Sequence, residues 1–589
     1  MSIATQISPT RNAPADPVLT EIVRAGVKAV TNEMKTNLTR TAYNTIIYEA
    51  LDFTVGLFTA DGRTVSIGLG LPMFIRGMRE VIAAKLAHFG ADIHPGDILV
   101  TNDAYTTGSH LNHITLTLPI FFKGELVGFS CCMAHWLDIG GTLGGVTTDI
   151  YSEGLQIPLL KLQSRGKINQ DLVDIIRMNV RFPENAIGDL RAQITAVKTG
   201  EKRFLELVGR YGPREVRAAI DHIMDLSEQA ARARTLSIPD GTYEAESYMD
   251  DDGVDLGKKV PIKVKVIVAG DRMTIDLSGV APQVRGFYNS GQTTAYACAQ
   301  VAYKCLTSPT DYPINDGSFR PLEVVAPLGR VVSAVKPAAM RRWMTFPMTI
   351  VDTVFRAMAP AIPERVAAGH HADLIIALLV GLSEKTKRVI IAGISQTGGG
   401  WGAKLHEDGV SATIAMNDGD THNSPVELLE TKYPFVVERY ELVPDSCGAG
   451  RNRGGLGCER VVRVTTDLRL TTHIDRSQCA PWGLFGGGDA LPNRIAIRRK
   501  GQVKDDFGNA KIYTLALAKD DAVILRGGGG GGFGSPLERA PGKVREDVFQ
   551  GYVSREAARD LYGVVIDPAT GEVDEPATEA LRARMRAAA

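Results

Sequence analysis

Apolar residues recur at helical spacing from Leu19 through Ile22, Val23, Val27 and Val30 to Met34. They follow an Asp16-Pro17 pair that supplies an N-cap and a proline at the first helical position, so a long amphipathic helix is predicted there. From Phe53 to about Leu160 the period drops to two. DFTVGLFT, RTVSIG, HITLTLPIFF and ELVGFSCCM are short β-branched and aromatic runs, separated by turn signals such as Asp61-Gly62 and Lys123-Gly124, and they predict hairpins. Helical periodicity returns over about 170–235 and breaks at Gly212-Pro213. DGTYEAESYMDDDG followed by VPIKVKVIVAGDRMTIDLSG alternates again. The expected fold class is α+β and multi-domain: a loose tail over 1–15, a helix and hairpin unit over 16–240, a β-rich insert over 241–330, and a mixed α/β part with Gly-rich loops over 331–589.

Composition narrows the class. With 589 residues, 44% hydrophobic and 23% charged, the chain matches globular averages and excludes disordered, collagen-like and coiled-coil readings. A net charge of −1 without blocks of like charge argues against nucleic acid as a partner. No apolar run approaches the twenty or so residues of a membrane span, and MSIATQISPTRNAPADP lacks the apolar core of a signal peptide, so the cytoplasm is expected and no membrane partner. Seven cysteines without a CxxC pair do not suggest a disulfide framework, and adjacent Cys131 and Cys132 should point to opposite faces of a strand.

The chain has no GxxxxGK[ST], HExxH or GxSxG element. What it has is a window holding Asn102, Asp103, His110, His113, His135 and Asp138, in a sequence with eleven histidines. Imidazole is the commonest metal ligand at neutral pH. If the hairpin closed by Lys123-Gly124 pairs positions summing to 247, Ile114 faces Met133 and Asn112 faces His135, and His110 and His135 then lie diagonally at its open end. His113 would join them only through a bulge or irregular entry. Histidines hydrogen-bonding at a hairpin mouth would fit this geometry equally well. Asp52, at the start of a strand, either completes a three-His-plus-Asp set or acts as a cap. His370-His371, His406 and His422 read as surface or loop residues, and the six glycines Gly527 to Gly532 as backbone that approaches another surface closely.

Several phrases in one order resemble the hydantoinase B family over nearly the whole chain: GDILVTNDAYTTGSHLNH, AHWLDIGG, YSEGLQIPLLKL, VRFPENAIGDLRAQ, ELLETKYPFVVERYELVPDSCGAGRNRGGLG and GGGGGGFGSPLER. The resemblance implies metal ligands at His110, His113 and His135, with Asp52 as a fourth; the family's usual Asp falls at His113. A His-rich set of this kind implies one divalent transition metal, Zn or Mn. It also implies a hydantoinase A-type ATP-binding partner, with ATP and Mg bound there, in a hetero-oligomer. The activity implied is ATP-dependent hydrolysis of a cyclic amide, a hydantoin, oxoproline or lactam, after phosphorylation of the amide oxygen. Glu49 or Asp103 would then orient the attacking water or accept its proton, or else fix a loop behind the site, and Asp138 would orient an imidazole. The runner-up is the catalytic subunit of an acetone- or acetophenone-type carboxylase acting on a ketone; a third reading is a non-catalytic scaffold subunit.

Overall fold

The computed structural model describes residues 16–76, 78–307, 314–383, 387, 389–394, 397–419, 421–504, 507 and 509–588. The tail expected over 1–15 lies outside them. Helix Pro17–Thr41 forms where the spacing predicts, with the Asp16 carboxylate accepting from the Val18 N–H. Val23, Val27, Val30 and Met34 are buried, but Ile22 is 39% exposed. The buried stripe instead passes through Thr20 and Thr31, one step of three or four residues from its neighbours.

The first sheet contains Phe53–Thr59 (β1), Thr64–Leu69 (β2), Ile98–Thr101 (β3), His113–Phe122 (β4), Glu125–His135 (β5), Leu160–Ser164 (β6) and Lys167–Ile168 (β7), in the order β2-β1-β5-β4-β3-β6-β7. Its central strands are buried on both faces, while β6 and β7 at one edge are largely open. Ile114, Leu116, Cys132 and Ala134 pack in one core with residues of helices Pro17–Thr41 and Pro183–Tyr211. Phe129, Cys131 and Met133 pack in another. Cys131 and Cys132 thus take opposite faces, as alternation requires.

That second core continues into the β-rich region. Gly241–Met249 (β8), Val260–Ala269 (β9), Arg272–Asp276 (β10) and Leu322–Val325 (β11) form a sheet ordered β11-β10-β9-β8, with β10 and β11 parallel. Val264 and Val266 of β9 share their core with Ile350 and Val354 of helix Thr345–Met358. The boundary expected near 330 therefore falls within continuous packing. Two further sheets complete the C-terminal part. One joins Ala377–Leu382, Val389–Ile394, Leu468–Thr472 and Leu515–Leu517; the other joins Phe435–Leu442, Cys458–Val464, Arg494–Arg499, Gln502–Lys504 and Ala522–Arg526.

The six-glycine run is an ordered, buried strut. Its N–H groups donate to the carbonyls of Cys458 (from Gly527), Leu491 (Gly529), Gly455 (Gly530), Gly369 (Gly531) and Gly488 (Gly532), so the run is held by several chain segments at once. A Cβ at Gly530 would stand 1.9 Å from the Trp401 carbonyl oxygen, and one at Gly531 1.9 Å from that of Trp482. Only glycine permits backbones to approach this closely. No helix among the described residues is long and apolar enough to cross a membrane.

Candidate active site

Three strands of the first sheet end together. β1 pairs with β5 so that Phe53 faces Ala134, which puts Asp52, one residue before β1, beside His135. The His135 N–H donates to the Asp52 carbonyl at 3.1 Å. On the other side of β5, His113 of β4 pairs directly with His135. The expected register is corrected by one residue here: near the turn Phe121 faces Leu126, but a bulge between Ile120 and Phe121 shifts the rest, so Ile114 faces Ala134 and not Met133. His113 thereby lies straight across from His135. His110, not His113, is the residue that needs an irregular approach.

That approach is built from the preceding segment. Asp103 caps the short helix Ala104–Thr107, which Gly108 closes at a φ of 87°. The buried Asn102 amide donates to the Leu111 and Leu155 carbonyls and fixes the loop. The His113 N–H then donates to the His110 carbonyl at 3.2 Å, closing a turn that swings His110 over the strand ends. Ring centroids are 4.6 Å apart for His110 and His113, 4.9 Å for His110 and His135, and 5.2 Å for His113 and His135.

The polar atoms of these rings are only partly satisfied. His113 Nε2 lies 3.0 Å from Asp52 Oδ1, and its Nδ1 lies 3.0 Å from Ser109 Oγ. His110 Nδ1 lies 3.0 Å from the Arg341 carbonyl oxygen. His110 Nε2 and His135 Nδ1 are buried without a hydrogen-bond partner. Burial holds the His110 ring well below the usual imidazole range and His135 down at about 4, so both are neutral with a lone pair available. Burial opposes ionisation of Asp52, but His113 and His135 together offset this and leave its carboxyl below the usual range. Among the described residues, no group of three or more His, Cys, Asp or Glu side chains is disposed as it stands to hold a metal ion, and His113 Nε2 is engaged by Asp52.

Asp52, His110 and His135 line a cavity of about 280 Å³, at the lower edge of small-molecule sites. Apolar walls come from Leu71, Trp343, Leu374, Ile376, Leu378 and Tyr433. Sequence reasoning missed its other polar groups, Arg341, Arg342, Asp373, Asp418 and His473, because they enter from segments more than two hundred residues away and carry no local spacing signal. Both Asp418 carboxyl oxygens are buried and unpartnered. Burial, reinforced by Asp52 and Asp373, pushes this group well above the carboxylate range. Burial likewise raises Asp373 to about 7.

The other expected residues fall elsewhere. Glu49 caps the end of helix Thr45–Tyr48 and does not line the cavity. Asp103 is also outside it, its carboxylate accepting from the Tyr105 N–H and the Thr106 hydroxyl. Asp138 does line the cavity, but its oxygens are taken by Arg181 and the Gly140 N–H, so it orients a loop and not an imidazole. His406 and His422 are exposed, whereas His370 and His371, read with them as surface or loop residues, lie in a loop but are wholly buried, with His370 2.9 Å from Asp352.

Comparison with known proteins agrees with this architecture. The family model "Hydantoinase B/oxoprolinase" matches residues 16–536. A putative D-/L-hydantoinase B-type chain of Pseudomonas sp. (strain NS671) is 31% identical, covering 96% of this chain and 98% of that protein. The beta chain of the caprolactamase of Pseudomonas jessenii is also 31% identical, over 96% of this chain and 99% of that protein. The crystal structure of ATP-dependent caprolactamase from that organism superimposes with a TM-score of 0.91 at 30% identity, over 97% of this chain and all of that one. The acetophenone carboxylase delta chain of Aromatoleum aromaticum is 24% identical over 90% of this chain and 84% of its own length. Matched along most of its length by one family model and end to end by components of multi-subunit enzymes, the chain belongs to the hydantoinase B/oxoprolinase family.

Proposed function

We propose that this chain is the hydrolytic subunit of an ATP-dependent enzyme that opens a cyclic amide. The observation that carries the reading is the pair of unpartnered ring nitrogens, His110 Nε2 and His135 Nδ1, buried beside the Asp52–His113 pair at the base of a cavity sized for a small ring. Buried polar atoms are rarely left unpaired without a reason. Lone pairs on neutral imidazoles next to an ionised carboxylate suit a divalent transition ion such as Zn or Mn, with His110, His113, His135 and Asp52 as its holders. Bound there, such an ion supplies Lewis acidity toward water and toward an amide oxygen.

The protein's own groups do the rest. The Arg341 carbonyl fixes the His110 tautomer with Nε2 free, and Ser109 orients His113. Trp343 packs against both of these rings, with centroids 6.3 and 5.9 Å away, and keeps bulk water from them. The apolar walls receive the methylene or substituted part of a ring. Asp418, with both oxygens free, is the group placed to hand a proton to the departing ring nitrogen. An amide is a poor electrophile, and in this reading a hydantoinase A-type partner supplies its activation by ATP, in keeping with a sequence that has no GxxxxGK[ST] element.

The test is an assay of the two-subunit complex with ATP on hydantoin, 5-oxoproline and lactam substrates, with and without bicarbonate. Ring opening that needs ATP but not bicarbonate supports the reading. Product that forms only with bicarbonate replaces it with the carboxylase reading.

A further inference from the structure

Arg341 and Arg342 both line the cavity. Neither guanidinium makes a hydrogen bond or an ion pair with a described residue, and Arg342 Nε is buried without a partner. Two adjacent arginines in a confined space, without a carboxylate on either, are unusual, because a buried charge is costly unless paired. Burial lowers both, and their mutual repulsion helps bring Arg342 down to about 10, still cationic at neutral pH.

Nearby acids act on the pair only through space, Glu153 and Asp138 favouring the Arg341 cation and Asp373 that of Arg342, and none bonds to either guanidinium. Asp138 is matched by Arg181. Glu153 accepts from the Met340 and Arg341 backbone N–H groups and from the Thr147 hydroxyl. Asp52 is matched with His113, and burial biases Asp373 and Asp418 toward protonation.

The segment is also held rigidly. Glu153 clamps its start, the Arg342 N–H donates to the Phe287 carbonyl at 2.8 Å, and the Arg341 carbonyl is tied to His110. The backbone that carries the two arginines is therefore fixed beside His110 before any ligand arrives. A guanidinium presents planar donors that match phosphoryl and carboxylate oxygens.

We propose that Arg341 and Arg342 form an oxyanion-binding subsite of this cavity, which takes an anionic group of the substrate as it reaches the histidine cluster. The subsite rests on the proposed function only for what carries the oxyanion: the phosphoryl group placed on the amide oxygen, or a carboxylate borne by the ring. In either case the ligand is anchored at one end by arginine while its reacting carbon lies toward the histidines.

The test is calorimetric titration of the full-length chain, treated with chelator, with inorganic phosphate and separately with acetate at constant ionic strength in chloride. Arg341→Gln and Arg342→Gln are compared with the unchanged protein, and Arg341→Lys and Arg342→Lys serve as charge-retaining variants should a glutamine variant not fold. Saturable binding of one oxyanion, weakened at least tenfold by a glutamine variant that keeps its melting temperature, is expected. Preference for phosphate identifies the phosphoryl group, and preference for acetate the ring carboxylate. No saturable binding of either by the folded chain overturns the subsite, as does binding unchanged in every arginine variant. Because the titrated protein is metal-free, loss of oxyanion binding in the arginine variants is read out whether or not the metal reading holds.

Discussion

His113 Nε2 and Asp52 Oδ1 stand 3.0 Å apart across sixty-one positions of sequence, joined because β5 lies between the strands that carry them. The ring is completely buried. In chelator-treated protein, Asp52→Ala leaves one ring nitrogen of His113 unsatisfied and should cost about 1–3 kcal/mol. Chemical denaturation would show it as a lower midpoint at unchanged slope; an unshifted midpoint contradicts the assigned bond.

Glu153, itself part of the cavity lining, holds the backbone whose carbonyl orients His110. Glu153→Ala strands the buried Met340 and Arg341 N–H groups and should destabilise the fold by roughly 2–5 kcal/mol. Where the variant folds, metal affinity measured by chelator competition should fall about 10–100-fold. Unchanged affinity would show that His110 is oriented by other contacts.

Asp189 gives a pH signature away from the histidines. Burial raises its carboxyl to about 6 from an ordinary 3.8, although it accepts from the Tyr43 N–H at 2.7 Å. The folded state therefore holds a proton that the unfolded chain has released, so this stability is present below pH 3.8 and lost as pH rises through 6. Relative to Asp189→Asn, the unchanged protein should lose up to about 3 kcal/mol between pH 4 and 7. Parallel stability profiles of the two proteins would refute the assignment.

The glycine strut makes a sharper demand. Gly530→Ala drives a methyl group into the Trp401 carbonyl and should cost more than about 4 kcal/mol, abolishing soluble expression or lowering the melting temperature by many degrees. Gly542→Ala, which meets nothing within 4 Å, should change stability by less than about 0.5 kcal/mol. Similar melting temperatures for the two variants would contradict the close backbone packing.

Local pattern was enough for the first helix, the hairpins and the strands of the β-rich region, because each depends on the period of apolar residues within one segment. The register of β4 and β5 was not legible. Ile120, Phe121 and Phe122 are all apolar, so pairings one residue apart look equally good until the bulge is seen. His110, His113 and His135 could be grouped because one hairpin carries them. Asp52 arrives through β1 pairing with β5, and Arg341, Arg342, Asp373 and Asp418 arrive from other layers, none of which leaves a local trace. Asp103 is near the histidines in sequence, but its carboxylate serves a helix cap, the loop-fixing role that the sequence left open beside a part in catalysis.

Whether the four converging side chains hold one divalent ion is decided by elemental analysis of the purified chain beside His110→Ala. Close to one equivalent of a transition metal is expected in the unchanged protein, with loss of most of it in a folded His110→Ala. A fully folded preparation that turns over its cyclic amide with its partner while holding no such metal would contradict the metal reading.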